Sequence, residues 1–356
     1  MSTADQGRVV WFNDGKQPNV ADVLGRVSGV EMSCLEFDDP PDRQWGALEK
    51  AHIYCITSTR DEVPDEFKAT AGLLGRCPTL VCVSTSGAGY DPVDVDACTR
   101  FGVLVVNQAG ANAQAVAEHA VGMMLSLSKR MGETDRSLRR ERGIARENFK
   151  GWNVEGKTIG LIGLGNTGRR VARICGAGLG MRIVAYDPYL SPDTIEERGA
   201  ASVNLDVLLA QSDFVSVHCP YGPETHDMLS ASSFALMRRG TFIINCARGG
   251  IVNEADLAAA LSRGDVAGAG IDVWSNEPPP LDHPLLALDT VIATNHTAGV
   301  THDSRENMAN WNAEQVRQIL RGMYPPRLIN PGAWDAFAAR YERIFSRPVA
   351  DKSEIG

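Results

Sequence analysis

Short apolar runs alternate with helix-length amphipathic stretches along most of the chain. Between Arg8 and Asn107 the apolar runs are VVWF, MSCLEF, HIYCITS, LVCVSTS and VLVVN. A second series begins at Ile159 and comprises TIGLIG, MRIVAYD, the weaker AASV, DFVSVH, TFIIN, AGAGIDV and TVIATN. Runs that are apolar throughout and rich in Val are typical of parallel strands covered by helices on both faces. The pattern predicts an α/β protein with two doubly wound parallel sheets.

Further segments have the periodicity of helices. Residues 113–131, AQAVAEHAVGMMLSLSKRM, place apolar side chains on one stripe and predict a long helix between the two series. NMANWNAEQVRQILRGM, after the last strand, predicts another, and PPRLINPGAW then has the Pro and Asn residues of a chain end. A candidate short helix, AFAARYERIF, follows in the tail from Asp335, where the sequence assigns no role.

Length, composition and charge narrow the class of protein. A chain of 356 residues exceeds what one hydrophobic core usually serves, so two domains are expected. The apolar share of 44% and the charged share of 22% are those of a globular protein. A net charge of -9 argues against nucleic acid and against a membrane as partners. The one basic cluster, SLRRERGIAR at 137–146, contains Glu141 and is interpreted as a solvated helix face.

The cysteines and the N-terminus indicate the compartment. None of the eight cysteines forms a Cys-x-x-Cys pair, and several lie in strand-like runs, so we interpret them as reduced core residues. The N-terminus has Asp5 and Arg8 where a signal peptide needs apolar residues, and no apolar run approaches the roughly 18 residues of a membrane span. We therefore expect a cytoplasmic protein, and we predict no metal site.

A glycine motif follows the first strand of the second series. Thr158–Ala172 reads TIGLIGLGNTGRRVA, in which Gly163, Gly165 and Gly168 separate a strand from a helix. Such glycines allow a tight turn and let a pyrophosphate approach the N-terminus of the helix. Asp187 ends the next strand at the roughly 20-residue spacing typical of a ribose-binding acid, and its charge would repel a 2′-phosphate. The motif predicts NAD as cofactor, with NADP disfavoured; a purely structural glycine turn is the alternative.

Three polar residues each follow a predicted strand of the second series. Arg248 comes after TFIINCA, Glu277 after GAGIDVWSN and His296 after TVIATN. Ligands of open parallel sheets bind outside the carboxyl ends of the strands, where all three residues would lie. His suits proton transfer during hydride exchange at a hydroxyl-bearing carbon, Glu stabilises the imidazolium, and Arg holds a carbonyl and a carboxylate. Singly, each has an ordinary explanation: an exposed Arg in a Gly turn, a solvated Glu before a proline run, or a loop His.

The region around these residues resembles a known enzyme family. LMRRGTFIINCARGGIVNEADLAAALSRGDVAGAGIDVWSNEPPP, followed by HPLLALDTVIATNHTAG, is similar to the D-isomer-specific 2-hydroxyacid dehydrogenases. This family includes phosphoglycerate dehydrogenase and the glyoxylate and hydroxypyruvate reductases, and the similarity extends from about Ile53 to Pro331. The resemblance implies that Arg248, Glu277 and His296 are catalytic.

The same resemblance implies ligand contacts for further residues. Asn166 and Thr167 would hold the pyrophosphate, Asp187 the ribose, and Asp272 the nicotinamide amide. Ala88 and Gly89, in the loop SGAGY, would donate backbone N–H groups to the substrate carboxylate. The other implied contacts are Gly163, Gly165, Gly168, Cys219, Pro220, Thr225, Cys246 and Ala247 for the cofactor, and Arg248 and His296 for the substrate.

The late position of the glycine motif agrees with the topology that the resemblance implies. In this family a Rossmann cofactor domain is inserted into a flavodoxin-like substrate domain. We therefore assign 1–106 and 300–334 to the substrate domain, 107–299 to the NAD-binding domain, and 335–356 to a C-terminal tail. The helix at 113–131 matches one that packs against a second subunit in the family, so a homodimer is expected.

One departure from the family concerns the substrate. Phosphoglycerate dehydrogenases have an Arg early in the loop after the third strand, in a pattern like IVRSxT, and this Arg binds the substrate phosphate. Here YCITSTR places Ile56 at that position, and Arg60 is the remaining candidate for a contact with the substrate. A 3-phosphorylated substrate is therefore disfavoured.

Together these features predict an NAD-dependent oxidoreductase that interconverts a small D-2-hydroxy acid and its 2-keto acid. The alternative is a nonenzymatic NAD-binding protein, because transcriptional corepressors resemble the same fold. Formate dehydrogenases are also related, but they have Gln where this chain has Glu277.

Overall fold

The computed structural model describes residues 7–13, 23–25, 29–59 and 62–350. The chain divides into two compact units, with boundaries between Asn112 and Ala113 and between Val300 and Thr301. The sequence-based boundaries, after residues 106 and 299, differ from these by a few residues. We call the unit that holds both ends of the chain the outer unit, and the unit that spans 113–300 the inserted unit.

The strands confirm the predicted α/β architecture, because each of the predicted apolar runs contains one. They are β1 Gly7–Phe12, β2 Val30–Leu35, β3 Ile53–Ile56, β4 Cys82–Thr85, β5 Leu104–Val106, β6 Thr158–Ile162, β7 Arg182–Tyr186, β8 Ala201–Ser202, β9 Phe214–Val217, β10 Thr241–Asn245, β11 Val266–Ile271 and β12 Val291–Ala293.

Helices connect these strands. They are α1 Pro41–Leu48, α2 Ala71–Arg76, α3 Val95–Phe101, α4 Ala113–Ser128, α5 Met131–Arg140, α6 Gly168–Arg173, α7 Pro192–Glu197, α8 Leu205–Gln211, α9 Ala231–Leu236, α10 Glu254–Arg263, α11 His302–Leu320 and α12 Trp334–Phe345. A π-helical turn, Ile174–Gly178, continues α6.

Local chemistry explains where several helices begin and end. Asn253 accepts a hydrogen bond from the Asp256 backbone N–H and caps α10, and Gly264 ends that helix at a φ of 73°. The long helix predicted at 113–131 is shorter than expected. It ends at Ser128, because Arg130 adopts a left-handed conformation with φ 53°, and a separate helix begins at Met131.

The outer unit has a five-stranded parallel sheet in the order β2-β1-β3-β4-β5. This order is the one expected of a flavodoxin-like domain. Successive residues of each strand enter two different cores, so that Val9 and Ile53 face one side while Val10 and Tyr54 face the other. Both faces of the sheet are therefore buried, as the Val-rich runs predicted.

The segment after Trp334, to which the sequence assigned no role, belongs to the outer unit. In α12, Phe337 and Tyr341 are fully buried and pack in the same core as Val9 and Ile53. Arg340 donates hydrogen bonds to the backbone carbonyls of Leu80, Cys77, Pro78 and Phe101. These contacts satisfy carbonyls at the ends of α2 and α3 and attach the helix to the sheet.

The inserted unit has a seven-stranded parallel sheet in the order β12-β11-β10-β9-β6-β7-β8. Counted from β6, this is the Rossmann order with one extra strand at the edge. The direction of winding reverses between β6 and β9, and ligands of such sheets bind at the carboxyl ends of the strands near this reversal. Among the residues that the structure describes, no helix is long and apolar enough to span a membrane.

The cysteines agree in part with the expectation of reduced core residues. All eight are free thiols, and six of them are buried. Cys34 is exposed and Cys219 is half-buried, so these two differ from the expectation.

Candidate active site

The glycine motif forms a tight turn between β6 and α6. Gly163 has a φ of +91°, and a Cβ atom there would lie 2.8 Å from the Cys219 backbone nitrogen. A Cβ on Gly168 would lie 2.2 Å from the Gly163 carbonyl oxygen, so both positions require glycine. A Cβ on Gly165 would meet nothing within 4 Å. The turn thus has open space at the one glycine where a pyrophosphate is expected to approach.

Positive charge surrounds the start of α6. Asn166 accepts hydrogen bonds from Arg170 at its backbone oxygen (2.6 Å) and from Arg169 at its side-chain oxygen (3.1 Å). Burial, together with the charges of Arg169 and Arg173, lowers the pKa of Arg170 below its usual value. An anion beside Asn166 and Thr167 would reduce this repulsion, so the local electrostatics fit a bound pyrophosphate.

The carboxylate of Asp187 is held in a fixed orientation. Its Oδ2 accepts the backbone N–H of Leu164 at 2.9 Å, and its Oδ1 accepts that of Tyr189 at 3.1 Å. Arg198 donates to the Leu164 carbonyl at 2.6 Å from the other side of the turn. Each carboxylate oxygen keeps a second lone pair, so Asp187 retains the acceptor capacity that ribose hydroxyls need.

The other predicted cofactor residues differ in what their side chains do. Cys219 and Pro220 follow β9 after one intervening residue, His218, and the Cys219 backbone lies against Gly163. Thr225 uses its hydroxyl within the loop, where it accepts from the Gly222 N–H at 2.8 Å and donates to the Pro220 carbonyl at 2.9 Å. Cys246 is buried with its thiol 3.9 Å from the Met123 sulfur, so only the backbone of Cys246 and Ala247 is placed to meet a ligand.

The loop that carries Arg248 is fixed by its own side chains and by close packing. Asn245, the last residue of β10, accepts from the Ala247 N–H at 3.1 Å and donates to the Arg248 carbonyl at 3.0 Å. A Cβ on Gly249 would lie 1.9 Å from the Trp274 carbonyl oxygen, so this position must be glycine. The loops after β10 and β11 are therefore in direct contact, which places Arg248 near the loop of Glu277.

Glu277 and His296 form a hydrogen-bonded ion pair. Glu277 Oε2 lies 2.7 Å from His296 Nδ1, and Glu277 Oε1 accepts the Trp274 backbone N–H at 3.0 Å. Burial by itself would raise the pKa of Glu277, but the hydrogen bond and charge of His296, the Trp274 N–H and the charge of Arg248 outweigh it and lower the pKa. Glu277 is therefore ionised, and it accepts the proton that His296 carries on Nδ1.

This pairing leaves the second ring nitrogen of His296 available. The described residues provide no hydrogen-bond partner for Nε2, and the side chain is 33% exposed. A His whose Nδ1 is held by a carboxylate can donate or accept a proton at Nε2. The pair thus has the geometry of a general acid–base.

The loop after β12 holds His296 in a left-handed conformation. His296 has a φ of 51°, which is uncommon for a residue other than glycine. The carboxylate of Asp272 accepts hydrogen bonds from the Thr294 hydroxyl (2.5 Å), the Thr297 N–H (2.8 Å) and the Ala298 N–H (2.9 Å), and the Asp272 carbonyl accepts the His296 N–H (2.7 Å). Asp272 is fully buried, so the observed contacts of this residue fix the loop, and its predicted contact with the nicotinamide amide stays a prediction.

The loop of Glu277 is held by a second network. Glu254 accepts hydrogen bonds from the Ser275 backbone N–H (2.6 Å) and hydroxyl (2.9 Å), and its other oxygen lies 3.0 Å from His283 Nε2. Trp274 donates its indole N–H to the Thr294 carbonyl at 2.9 Å. The loops that carry Glu277 and His296 are thereby tied to α10 and to each other.

In the outer unit, the loop of Ala88 and Gly89 presents unused backbone donors. The carbonyl oxygens of Gly87, Ala88 and Gly89 all accept hydrogen bonds, from Thr85, Asn107 and Gln108. Their backbone N–H groups have no acceptor among the described residues. Successive free N–H groups form a small anion-binding concavity, so the loop fits the carboxylate site that the sequence predicted.

The structure changes the interpretation of Ile56, which stands where the sequence comparison expected the phosphate-binding Arg of phosphoglycerate dehydrogenases. Ile56 is 4% exposed and packs in the core of the outer unit, so an Arg at this position would point into apolar surroundings rather than towards a ligand. The first residues beyond the strand end are Thr57 and Ser58, and neither carries a charge. Arg60 lies outside the described residues.

Sequence reasoning missed several residues that support the site. Asn107 directly follows β5 and Asn245 is the last residue of β10. Arg248 and His296 were selected because they come just after strands, so these two Asn residues at strand ends could have been found as well. Thr85 is the last residue of β4 and could have been found in the same way. Arg198 carries no such signal, because its contact with the Leu164 carbonyl depends on how distant turns pack. His218, beside the glycine turn, was also missed; burial lowers its pKa to about 4, so its ring is neutral at pH 7.

Comparison with known proteins defines the class. The family model for the D-isomer specific 2-hydroxyacid dehydrogenase NAD binding domain matches residues 121–298. D-3-phosphoglycerate dehydrogenase of Mycobacterium tuberculosis is 42% identical over 324 residues, which cover 91% of this chain and 59% of that protein. Glyoxylate reductase of Korarchaeum cryptofilum is 37% identical over 263 residues, which cover 73% of this chain and 79% of that protein.

Solved structures agree with this result. The TT0316 protein of Thermus thermophilus superposes on this chain with a TM-score of 0.77 at 30% identity. The superposition covers 90% of this chain and 99% of the TT0316 chain. D-Lactate dehydrogenase of Aquifex aeolicus, solved with NAD and lactic acid, has the same TM-score at 27% identity, with 90% of this chain and 98% of its own covered.

These matches, with the Rossmann strand order and the glycine turn, define an NAD-binding oxidoreductase fold. The chain belongs to the D-isomer-specific 2-hydroxyacid dehydrogenase family. It spans 59% of the length of the phosphoglycerate dehydrogenases of Mycobacterium tuberculosis and Mycobacterium bovis. The described residues contain no group of His, Cys, Asp or Glu side chains arranged to hold a metal ion.

Proposed function

We propose that this protein is an NAD-dependent oxidoreductase that interconverts a small D-2-hydroxy acid and its 2-keto acid. The observation that carries the proposal is the 2.7 Å contact between Glu277 Oε2 and His296 Nδ1. The pKa of the Glu277 carboxyl is lowered, and His296 Nε2 remains available, so His296 can donate and accept a proton there. When bound, NAD supplies the hydride acceptor for oxidation and NADH the donor for reduction. The glycine turn and the carboxylate of Asp187 are the residues that would hold it.

Each residue of the site has a separate task. In reduction, protonated His296 gives its Nε2 proton to the carbonyl oxygen, and Glu277 stabilises the imidazolium beforehand. In oxidation, neutral His296 takes the proton of the hydroxyl group. Arg248 can bind the keto oxygen and the adjacent carboxylate with two parallel N–H groups. The free N–H groups of Ala88 and Gly89 are proposed to donate hydrogen bonds to the substrate carboxylate.

The stereochemistry of the product tests this proposal. Incubation with NADH and hydroxypyruvate or pyruvate, followed by chiral chromatography, is expected to give the D-2-hydroxy acid. Formation of the L-enantiomer would contradict the assignment to D-specific chemistry.

We predict at least a tenfold preference for NAD over NADP, which corresponds to about 1.4 kcal/mol. The carboxylate of Asp187 is fixed by Leu164 and Tyr189, so it cannot turn away from a 2′-phosphate, and like charges would repel. The measurement is kcat/KM with each cofactor at a fixed keto-acid concentration. Equal values would show that Asp187 does not line the ribose site.

We predict that unphosphorylated keto acids are better substrates than phosphohydroxypyruvate. The strand end at Thr57 and Ser58 provides no cation, so the phosphate would lose a charge-assisted contact typically worth about 1.5–3 kcal/mol. The measurement is kcat/KM for glyoxylate, hydroxypyruvate and phosphohydroxypyruvate. A higher value for phosphohydroxypyruvate would show that Arg60 or another cation binds the phosphate.

We also predict a homodimer. Met131 and Leu138 of helix α5 are exposed, and so is Trp152, which follows this helix in the chain. Exposed apolar side chains of this kind fit a symmetric contact between two subunits. Light scattering at micromolar concentration is expected to give twice the mass of the 38.4 kDa chain. A mass equal to that of one chain would contradict this prediction.

A further inference from the structure

A cavity of about 370 Å³ lies at the amino ends of strands in the sheet of the inserted unit, at the end of the sheet opposite the candidate active site. Its six lining residues are Thr158, Arg182, Val184, Ala210, Gln211 and Arg238. Thr158 and Arg182 are the first residues of β6 and β7 and pair with each other in register. The cavity therefore lies at the amino ends of these strands, whereas the glycine turn and His296 follow the carboxyl ends.

The cavity is lined by positive charge and by no acidic residue. The Arg182 side chain forms no hydrogen bond or ion pair with any residue in the described part of the chain. Arg238 lies 3.5 Å from Asp213 Oδ1, and Lys157, which precedes the lining residue Thr158, lies 3.7 Å from the same oxygen. A single carboxylate thus faces two cations, and Arg182 adds a third.

Asp213 offsets one of these three positive charges. Its second oxygen accepts the Thr158 backbone N–H at 2.9 Å, so the carboxylate also stabilises the start of β6. Both ion pairs are longer than a charge-assisted hydrogen bond, which is typically about 2.7–2.9 Å. The cavity is therefore a concentration of positive charge on a chain whose formal net charge is -9.

We propose that this cavity is a binding site for a small anion that carries a phosphate group or at least two carboxylates. Guanidinium groups bind such oxygens with paired N–H donors, and Arg182 has its donors unused. Val184 and Ala210 provide apolar walls, and Thr158 and Gln211 provide polar ones, so the site is concave rather than a flat charged surface. Its volume is at the lower end of the roughly 300–1,000 Å³ range of small-molecule sites.

The proposal is independent of the proposed reaction, because none of its residues belongs to the candidate active site. The direct test uses the full chain with ¹³C-labelled valine methyl groups, since Val184 lines the cavity. NAD is present at saturation, so that added anions cannot report on the pyrophosphate site. Inorganic phosphate and citrate are titrated separately at constant ionic strength, with chloride as the reference anion.

We expect the Val184 methyl resonances to shift and saturate with phosphate, with citrate, or with both. The result with each anion tells whether the site prefers phosphate or carboxylate oxygens. In Arg182→Gln the Kd should rise at least tenfold, whereas Arg182→Lys should retain part of the affinity. Arg142→Gln makes the same change of charge at an exposed helix end and should leave the Kd unchanged.

Two results would overturn the proposal. The first is the absence of a saturating shift at Val184 with either anion. The second is an equal Kd in the parent chain and in Arg182→Gln. Because the Arg182 side chain is exposed and unpaired among the described residues, its replacement should leave the thermal unfolding temperature within the range of the Arg142→Gln control.

Discussion

Replacement of His296 by Ala is expected to lower kcat for keto-acid reduction by roughly 10²–10⁴-fold and to leave NADH binding nearly unchanged. The side chain supplies the only ring nitrogen that we assign to proton transfer, and Ala can neither donate nor accept a proton. Within the part of the chain that the structure describes, the glycine turn and Asp187 form no hydrogen bond with His296, so the cofactor site should remain intact.

Two measurements separate these effects. Single-turnover and steady-state rates report the loss of chemistry, and fluorescence titration reports the Kd for NADH. His302→Ala is the matched control, because it removes an exposed His outside the site and should retain the parent rate. An unchanged kcat in His296→Ala would exclude this residue as the proton donor, even though the fold and family would stand.

Glu277→Gln is expected to weaken reduction at neutral pH and to strengthen oxidation at lower pH relative to the parent chain. Gln keeps the size of the side chain but removes the charge that stabilises the imidazolium. The lowered pKa of Glu277 shows that its carboxylate is stabilised by His296, after the opposing effect of burial, and the stabilisation is mutual. Loss of a charge-assisted hydrogen bond costs about 1.5–3 kcal/mol.

The sign of the change follows from which form of His296 reacts. Reduction needs the protonated ring, so its rate is lost as pH rises; without the carboxylate this loss should occur at lower pH. Oxidation needs the neutral ring, so its rising limb should also move to lower pH. The measurement is kcat/KM against pH in both directions.

This pair of profiles distinguishes an electrostatic role from a structural one. If Glu277 only supported the loop, its replacement would lower both rates at every pH without moving the limbs. Ser275→Ala is a useful comparison, because it removes one hydrogen bond to Glu254 from the same loop and leaves the charge of Glu277 in place. Unmoved limbs in Glu277→Gln would exclude the proposed role of its charge.

The strands were predictable because buried parallel strands give a plain signal in sequence, whereas the order of the strands in each sheet was expected from the family resemblance. Runs such as VLVVN and TFIIN are apolar apart from terminal Thr or Asn residues, and both contain fully buried strands. The end of α4 was not predictable from periodicity, because apolar spacing continues to Met131 while the backbone turns at Arg130. The boundary depends on one left-handed residue rather than on the hydrophobic pattern.

The sequence names candidate residues for the site, but it does not give the contacts between them. Arg248, Glu277 and His296 each follow a strand, and the resemblance added their roles. That Asp272 fixes the His296 loop through three hydrogen bonds could not be inferred, because those contacts depend on a left-handed His296 and on loop packing. The packing of α12 was missed for a related reason: the contacts of Arg340 are with backbone carbonyls, which leave no trace in sequence.

The central claim is that this chain is an enzyme and not only an NAD-binding protein, and an assay of NADH consumption tests it most directly. The panel is glyoxylate, hydroxypyruvate, phosphohydroxypyruvate, pyruvate and sulfopyruvate, with the parent chain and His296→Ala measured in parallel. The account predicts turnover of at least one unphosphorylated keto acid by the parent chain and its loss in His296→Ala. Tight NADH binding without turnover of any of the five would contradict it and would favour a nonenzymatic binding protein of the same fold.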